Sequence, residues 1–211
     1  MTTDIHSDWP NLAKYRKANE KLKGTSSGGN RIVLVGDSIT EGWTEFNPGF
    51  FQENNMVNRG ISGQTTPQML IRLKQDAIHL DPKIIIINGG TNDIWGNTGP
   101  STPDMIIDNL CSMAEITAKK NIQVVLSTIL PVYQYPDRDD IIDPPKTISL
   151  INSVLQDYCK ENGLTFLDYF SPMADEKKGL RSDYGTDGVH PNKQGYSVME
   201  QVVRETISGI V

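Results

Sequence analysis

The sequence predicts an α/β domain in which five parallel strands form a sheet that helices cover on both sides. Strand-like apolar runs alternate with helical patterns along the chain. Two of these runs, "KIIIIN" and "IQVVLS", are apolar at consecutive positions, which is typical of strands buried on both faces. The 211 residues are 37% hydrophobic and 22% charged, so we expect residues 1–211 to form a single globular domain.

Each predicted strand is followed by a helical pattern before the next strand begins. The five apolar runs are 32–35, 56–58, 84–88, 122–127 and 164–167. This alternation predicts parallel strands that are joined by helical crossovers. Sheets of this kind bind ligands at the carboxyl ends of their strands, so the residues that follow each run matter most for function.

Proline and small polar residues mark the expected helix starts. They occur together at Asp8 before Trp9-Pro10, at Thr66 before Pro67 and at Thr102 before Pro103. Apolar residues at helical spacing predict amphipathic helices over 146–161 and 192–208. We expect residues 1–30 to form a helical extension that packs on the domain. The acidic, proline-rich stretch 131–145 should form a surface loop near the strand ends.

Charge and cysteine content exclude several classes of function. The net charge is −6 and the sequence pI is about 5.1, and the Lys-Lys pairs at 119–120 and 177–178 do not make a basic face. We therefore expect no nucleic-acid partner. No apolar run approaches the ~20 residues that span a bilayer, so we expect no membrane span. Cys111 and Cys159 lie in predicted helices and indicate neither a disulfide scaffold nor a structural zinc site.

The N-terminal segment "MTTDIHSDWPNLAKYRKANEKLKG" has no apolar core of the signal-peptide type. As the sequence is written, this predicts a cytoplasmic protein. If a signal peptide precedes this segment, the prediction becomes a periplasmic or secreted protein. The oligomeric state is not predicted.

Four polar or glycine-rich clusters follow the predicted strands or precede the last helix. They are "GDSITEGW", which contains Ser38, "NRGISGQTT" over 58–66, "NGGTNDIW" over 88–95 and "DGVHPNKQGY" over 187–196. The carboxyl ends of parallel strands lie along one edge of a sheet. The first three clusters should therefore gather there, and the fourth can approach the same edge.

His190 is the most informative of the three histidines, which are His6, His79 and His190. His6 lies near the N-terminus, and His79 ends a predicted helix, where contact with the helix dipole accounts for it. His190 follows Asp187 by three residues, a spacing that lets the carboxylate accept from one ring nitrogen and fixes the other as a proton acceptor. Taken alone, His190 could equally cap the helix that begins near Pro191.

Ser38 gains meaning from its possible partners. A serine becomes a good nucleophile when a base removes its proton, and His190 could be that base. Acyl transfer also needs donors for an oxyanion, and the Gly63 N–H, the Asn92 side-chain amide and the Ser38 N–H are candidates. Each of these residues alone also fits a turn or a helix cap. Together and in this order, they favour acyl transfer through a serine.

These clusters resemble the four conserved blocks of the SGNH hydrolases, also called GDSL-type esterases and lipases. The matching blocks are "GDSIT", "GISGQTT", "GGTND" and "DGVHP", and the resemblance runs from about residue 31 to the C-terminus. It implies a flavodoxin-like three-layer α/β/α sandwich and ester hydrolysis without a metal or cofactor. It also implies Ser38 as nucleophile, His190 as base, Asp187 as the acid that orients it, and Gly63 and Asn92 as members of the oxyanion hole with the Ser38 N–H.

Within this family, "NRGISGQTTPQML" and "GGTNDIW" look most like the short-chain branch, which includes platelet-activating-factor-acetylhydrolase-like enzymes and carbohydrate acetylesterases. The resemblance implies an esterase for short-chain, in particular acetyl, esters of small molecules or carbohydrates. A lysophospholipase or thioesterase is the alternative. Ile39 stands where the motif has leucine, which is a conservative difference.

Several side chains near these blocks are further candidates. Trp43 and Trp95 could form walls for a sugar ring or acyl group, or could pack in the core or at its rim. Asp37 is a candidate for substrate binding, although holding the turn before the serine is its expected structural role. Arg59 and Gln64 flank the second block and could meet substrate oxygens.

Other classes of function fit the sequence less well. A flavodoxin-like binding protein would cradle phosphate after the first strand, where Asp37 would repel it, and would leave Asp187 and His190 unexplained. A metal-dependent phosphatase would need several His and Asp ligands, whereas His190 is the one histidine that fits a functional site. A non-catalytic interaction module would be expected to have lost one of the four blocks, and all four are present.

Overall fold

A computed structural model describes residues 8–23 and 29–210 of the chain. In this part of the chain, five parallel strands form one sheet in the order β2-β1-β3-β4-β5. The strands are β1 (Ile32–Gly36), β2 (Met56–Gly60), β3 (Ile84–Ile87), β4 (Gln123–Ser127) and β5 (Thr165–Leu167). The predicted five-stranded parallel sheet is confirmed, and its strand order is that of flavodoxin-like domains.

Strand side chains alternate between the two faces of the sheet. In β1, Val33 and Val35 belong to the core on one face, and Ile32 and Leu34 belong to the core on the other. No isoleucine of β3 is more than 1% exposed. Because both faces are buried, these strands are apolar at consecutive positions instead of alternating with polar residues.

Helices cover both faces of the sheet. They are α1 (Arg16–Lys23), α2 (Ser38–Phe46), α3 (Pro48–Glu53), α4 (Thr66–Asp76), α5 (Thr91–Trp95), α6 (Pro103–Ala118), α7 (Pro144–Asn162), α8 (Phe170–Met173) and α9 (Lys193–Ser208). α4, α6 and α7 pack on one face, and α2, α3 and α9 pack on the other. The result is the predicted three-layer α/β/α sandwich, and the helices expected over 146–161 and 192–208 correspond to α7 and α9.

Two of the three predicted helix starts are close to the observed ones. Thr102 caps α6 by accepting a hydrogen bond from the Met105 N–H, as its position before Pro103 predicts. α4 is capped one residue earlier than expected, by Thr65, which forms a capping box with Gln68.

The helix start predicted at Asp8 is wrong. Asp8 does accept from a later backbone N–H, that of Ala13 at 2.8 Å, but the chain forms turns there and α1 begins only at Arg16. Asn11 has a φ of 56°, a left-handed conformation that interrupts a helix.

The described part of the N-terminal segment, 8–23, packs against α4 and the loop before it. Side-chain amides of Gln64, Gln68 and Gln75 donate to the carbonyl groups of Pro10, Trp9 and Leu12, respectively, at 2.6 to 2.7 Å. Residues 1–7 and 24–28 of the predicted extension lie outside the described residues. No helix of the described residues is long and apolar enough to cross a membrane.

The strand order places a crevice between β1 and β3. β2 lies on one side of β1, while β3, β4 and β5 follow on the other side, so the order reverses at the β1–β3 pair. Ligands of open parallel sheets bind at such a reversal, beyond the carboxyl ends of the two strands. The segments that leave β1 and β3 carry Ser38 and Asn92 to this position.

Candidate active site

Ser38 is the first residue of α2, directly after the turn that ends β1. Asp37 is the helix cap, because its Oδ1 accepts from the Ile39 N–H at 2.9 Å and its carbonyl accepts from the Glu41 N–H at 2.9 Å. Capping therefore does not occupy the Ser38 hydroxyl. Ser38 Oγ lies 3.0 Å from His190 Nε2.

His190 is held by Asp187 on the loop before α9. His190 Nδ1 lies 2.7 Å from Asp187 Oδ2, and Asp187 Oδ1 accepts from the backbone N–H groups of Val189 at 3.0 Å and His190 at 2.8 Å. Burial opposes ionisation of Asp187, but its hydrogen bonds to the His190 N–H, the His190 ring and the Val189 N–H lower its pKa overall. If an ionised Asp187 accepts the Nδ1 proton, Nε2 is left as an acceptor toward Ser38.

Glycine at the end of β2 brings the second motif close to Ser38. A Cβ at Gly60 would collide with the backbone nitrogen of Glu41 and would lie 2.7 Å from the Asp37 carbonyl oxygen. Only a residue without a side chain fits there, because both neighbours are backbone atoms of the turn that holds the serine. The loop after β2 therefore leaves the sheet next to the N-terminus of α2.

Gly63 lies in this loop with its backbone exposed. Its φ of 76° is a left-handed conformation that favours glycine. The preceding residue is anchored to α2, since Glu41 Oε2 accepts from both the N–H and the hydroxyl of Ser62 at 2.6 Å. The Gly63 carbonyl accepts from Asn97 Nδ2 at 3.0 Å, and within the described residues the Gly63 N–H has no backbone acceptor.

Asn92 is the buried amide of the site, at 6% exposure. Its Nδ2 donates to the Gln64 carbonyl at 3.1 Å and to Asp37 Oδ2 at 3.3 Å. Its Oδ1 accepts from Asn97 Nδ2 at 3.0 Å. Asn92 thus connects the segments that follow β1, β2 and β3.

The buried carboxylates Asp37 and Asp93 hold these segments together. Burial raises the pKa of Asp37 to about 6, and it also raises the pKa of Asp93. Asp93 accepts from the N–H and the hydroxyl of Thr66, so it fixes the start of α4. The predicted substrate contact of Asp37 is wrong, because this side chain is fully buried and engaged with Ile39 and Asn92.

The two tryptophans near the motifs differ in burial. Trp43 is 1% exposed, stacks on Phe50 and Tyr196 with ring centroids at 5.4 and 5.6 Å, and donates from Nε1 to Glu200 at 3.2 Å. Its predicted role as a substrate wall is wrong, because the ring lies in the core. Trp95 is half-buried, and a substrate contact there stays a prediction.

The predicted surface loop 131–145 folds against α5. The Tyr135 ring is buried, lies 5.7 Å from the Trp95 ring, and its hydroxyl lies 2.9 Å from Thr91 Oγ1. The guanidinium of Arg138 donates to the Trp95 carbonyl. Ile142, 88% exposed, is in contrast open to solvent.

Sequence reasoning misplaced two polar residues and missed two others. Arg59 and Gln64 are buried, and Gln64 Oε1 accepts from Arg72 Nε at 2.5 Å. The predicted contact of these two side chains with substrate oxygens is therefore wrong. Glu41 and Asn97 were not predicted to belong to the site. Glu41 lies inside the first quoted motif and Asn97 follows the third by two residues, but nothing in a single sequence distinguishes a polar residue that holds a loop from one that caps a turn.

The carboxylates and histidines of the described residues form no metal site. Within residues 8–23 and 29–210, no group of three or more His, Cys, Asp and Glu side chains could hold a metal ion. His79 lies in a short 3₁₀ turn, Ile78–Leu80, that follows α4. Cys111 and Cys159 are both free thiols, and burial raises the pKa of each to about 11.

Comparison with known proteins places this chain in a family. Residues 34–198 match the model of the GDSL-like lipase/acylhydrolase family. A crystal structure of a GDSL-like lipase from Bacteroides thetaiotaomicron is 38% identical, has a TM-score of 0.93 and aligns over 97% of this chain and 100% of that chain. A proposed acylhydrolase from Bacteroides fragilis is 39% identical, also with a TM-score of 0.93, over 97% of this chain and 99% of that one.

A curated relative is larger than this chain. The N-acylneuraminate cytidylyltransferase of Escherichia coli is 26% identical over 195 residues, which make up 92% of this chain. The chain spans only 44% of the length of that relative.

Proposed function

This chain belongs to the GDSL-like lipase/acylhydrolase family and is a hydrolase, and we propose that it is a serine esterase for short-chain, in particular acetyl, esters. One observation carries the proposal. Ser38 Oγ, His190 and Asp187 form a continuous hydrogen-bond chain with distances of 3.0 and 2.7 Å at the carboxyl edge of the sheet. Nucleophile, base and orienting acid are the three parts that activate a serine.

In the proposed acylation, Ser38 Oγ attacks the ester carbonyl carbon while His190 Nε2 takes the hydroxyl proton. The carbonyl π electrons move to oxygen, which becomes the oxyanion of a tetrahedral intermediate. When the intermediate collapses, the bond to the alcohol oxygen breaks and His190 returns the proton to the leaving alcohol. Asp187 stabilises the imidazolium that exists between these two transfers.

The proposed oxyanion hole combines the Ser38 N–H, the Gly63 N–H and the Asn92 amide. The Ser38 N–H lies in the first turn of α2, where helix geometry provides no acceptor, and the positive end of the helix dipole favours a negative charge. The contact from Asn92 Nδ2 to Asp37 is 3.3 Å, which is long for an N–H···O bond. We infer that this hydrogen bond breaks when the oxyanion of the tetrahedral intermediate binds, so that Asn92 Nδ2 donates to the oxyanion instead.

Deacylation reverses these roles. A water molecule attacks the acyl-enzyme carbonyl while His190 Nε2 takes a proton from it. The second tetrahedral intermediate collapses, the Ser38–acyl bond breaks, and the proton goes from His190 to Ser38 Oγ. The His190 side chain is 40% exposed, so water can reach the base without a large movement.

Small, polar surroundings support a short acyl group on a polar alcohol. Ser62, Gly63 and Asn97 are exposed polar residues or backbone next to the proposed oxyanion hole. A long acyl chain would need an extended apolar groove. A cavity of about 490 Å³ beside Ile32 and Ile84 lies at the opposite end of the sheet, where the strands begin.

The alcohol part of the substrate is proposed to be a carbohydrate or another polar molecule. The name of the Escherichia coli relative refers to N-acylneuraminate, a sugar acid whose N-acyl group is an amide, so it supports a sugar as the alcohol part and not the ester bond itself. Cytidylyl transfer is not proposed, since the chain spans less than half of that relative.

Rates on p-nitrophenyl acetate, butyrate, octanoate and palmitate test the proposal, with Ser38→Ala beside wild type. We expect activity that falls with acyl length and disappears in Ser38→Ala, because the hydroxyl oxygen forms the covalent intermediate. Ser197→Ala, which changes an exposed serine on α9, is the matched control and should retain full activity. Rates that rise with acyl length would replace the acetylesterase with a lysophospholipase or thioesterase, and equal rates in Ser38→Ala would refute a serine esterase.

A further inference from the structure

Asn97 connects two of the groups that the proposed oxyanion hole requires. Its Nδ2 donates to the Gly63 carbonyl at 3.0 Å and to Asn92 Oδ1 at 3.0 Å. A side-chain amide carries two N–H hydrogens, and both have an acceptor here. We propose that Asn97 is a positioning residue that holds Gly63 and Asn92 in the geometry that binds the oxyanion, an inference that rests on the function proposed above.

The chain reversal after α5 places Asn97 against Asn92. Gly96 ends α5 with a φ of 87°, and the N–H groups of Gly96 and Asn97 both donate to the Asn92 carbonyl at 3.0 Å. The backbone that carries Asn97 is therefore anchored to the residue whose side chain Asn97 contacts. Because of this double attachment, Asn97 moves with Asn92 and transmits the position of Asn92 to Gly63.

The hydrogen bond from Asn97 to Asn92 affects both the orientation and the strength of the Asn92 Nδ2 donor. Since Oδ1 of Asn92 accepts from Asn97, Nδ2 must point the other way, toward Asp37 and Gln64. A hydrogen bond to the oxygen of an amide also polarises the amide and strengthens its N–H donors. Loss of Asn97 would weaken both effects.

The contact with Gly63 restrains an otherwise exposed glycine. The neighbours of Gly63 are each held from another element: Ser62 by Glu41, and the Gln64 side chain by Arg72. The carbonyl of Gly63 itself is held by Asn97. A donor N–H on a loop contributes to a preorganised hole only when the loop does not move away as charge develops.

Kinetics of Asn97→Ala on p-nitrophenyl acetate test the proposal. We expect kcat to fall about 10-fold to 100-fold, less than the 10²–10³ that follows loss of a direct donor. KM should stay within about twofold, because the contacts matter only when the oxyanion forms. The pH profile of kcat/KM should not move, since Asn97 contacts neither His190 nor Asp187. Asn97→Asp, which keeps the shape and loses both donors, should lose at least as much activity and replaces the alanine variant if that does not fold.

Thr98→Val is the matched control for loop anchoring. Thr98 Oγ1 lies 3.0 Å from Thr65 Oγ1, so this neighbour also connects the segment after α5 with the loop after β2, but its side chain makes no hydrogen bond to Gly63 or Asn92 among the described residues. We expect Thr98→Val to keep kcat within about twofold of wild type, since no group of the hole depends on it. An equal loss of kcat in Thr98→Val and Asn97→Ala would overturn the proposal. It would mean that activity needs only some connection between the two segments, and not the specific contacts of Asn97 with Gly63 and Asn92.

A double-mutant cycle that combines Asn97→Ala with Asn92→Ala tests whether Asn97 affects kcat through Asn92. If Asn97 acts largely through Asn92, the loss in the double variant will be smaller than the product of the single losses. Full kcat in both Asn97 variants, with Ser38-dependent activity in wild type, would overturn this inference and leave the serine esterase standing. Absence of Ser38-dependent activity in wild type would overturn both.

Discussion

The two halves of the candidate site differ in their exposure to water. Asp187 and His190 lie on a surface loop, and their side chains are 43% and 40% exposed. Asn92 and Asp37 are 6% and 0% exposed and belong to a polar network that joins the segments after β1, β2 and β3. The His190 ring of the acid–base half is oriented by one carboxylate, while the Asn92 amide is held by groups from several elements.

This difference follows from what each half is proposed to do. A base must exchange protons with substrate and water, so it needs access to solvent. Donors for an oxyanion act without moving, and they are more effective in a buried environment where their dipoles are fixed in advance. The comparison predicts that changes in the exposed half act mainly on activity, and that the two halves differ in how their stability responds to pH.

The largest expected effect is in the exposed half. We expect Asp187→Asn to lower kcat on p-nitrophenyl acetate by on the order of 10⁴, because an amide cannot keep the proton on Nδ1 and leave Nε2 as acceptor. Asp183→Asn is the control, since Asp183 is an exposed aspartate of the same region that pairs with Arg181. A loss below about tenfold would remove Asp187 from the proposed triad.

The next effect concerns the buried half. Asn92→Ala should lower kcat by on the order of 10²–10³ with KM little changed, because a donor to the transition state is lost. It should also reduce stability, since the Gln64 carbonyl and Asp37 lose a partner. Urea unfolding, measured together with the kinetics, separates the loss of stability from the loss of kcat. Full kcat in a folded Asn92→Ala variant would show that the hole is assembled differently.

The two aspartates should respond to pH with opposite signs. Burial raises the pKa of Asp37 from 3.8 to about 6, so its contribution to stability is complete below pH 3.8 and is lost as pH rises through 6. At neutral pH, the loss of this contribution lowers the free energy of unfolding by roughly 3 kcal/mol. Asp187 has a lowered pKa, so its contribution is present above its ordinary pKa and is lost as pH falls.

Urea unfolding between pH 3.5 and 7.5 measures this contrast. Relative to wild type, Asp37→Asn should gain stability as pH rises from 4 to 7, because a neutral amide can keep the cap and carries no buried charge. Asp187→Asn should instead lose stability relative to wild type at neutral pH, and that difference should shrink in acid. The same pH dependence in both variants would contradict the contrast between the two halves.

The smallest expected effects are those of alanine at Gly63, in the loop of the proposed oxyanion hole, and at Gly188, in the loop of Asp187 and His190. Gly63 and Gly188 have φ values of 76° and 82°, and a Cβ would meet only Asn97 at 3.6 Å at the first and nothing within 4 Å at the second. Alanine in this conformation costs about 1–2 kcal/mol where the loop cannot adjust. We expect Gly63→Ala to show this cost in urea unfolding and Gly188→Ala to show less. A larger cost at Gly188 would mean that the loop of Asp187 and His190 is the more rigid of the two.

Strand positions could be predicted closely because burial on two faces leaves a strong local pattern. β3 and β4 were expected from "KIIIIN" and "IQVVLS", and both are interior strands of the sheet. The helix expected after Asp8 was wrong, since its proline signal lies in a segment that turns repeatedly and packs through side chains of α4. Packing partners that lie 50 or more residues away leave no local pattern.

Residue chemistry was predictable where the residue type itself limits the role. Ser38, His190 and Asp187 were expected to lie together, and the structure brings them within hydrogen-bond distance. Trp43 could be either core or substrate wall on the sequence alone, since an indole ring suits both places. Asn97 gave no signal, because its importance comes from two acceptors on other segments.

The sequence by itself determined the strand and helix alternation, the residues at each strand end and the identity of the family, because these depend on local periodicity and on residue types that carry specific chemistry. Only the tertiary structure decided which polar residues face solvent and which are enclosed. Asp37 and Asp187 are the same amino acid, yet burial raises the pKa of one and hydrogen bonds lower that of the other. That difference is set by surrounding atoms from distant parts of the chain, so it exists only in the folded molecule.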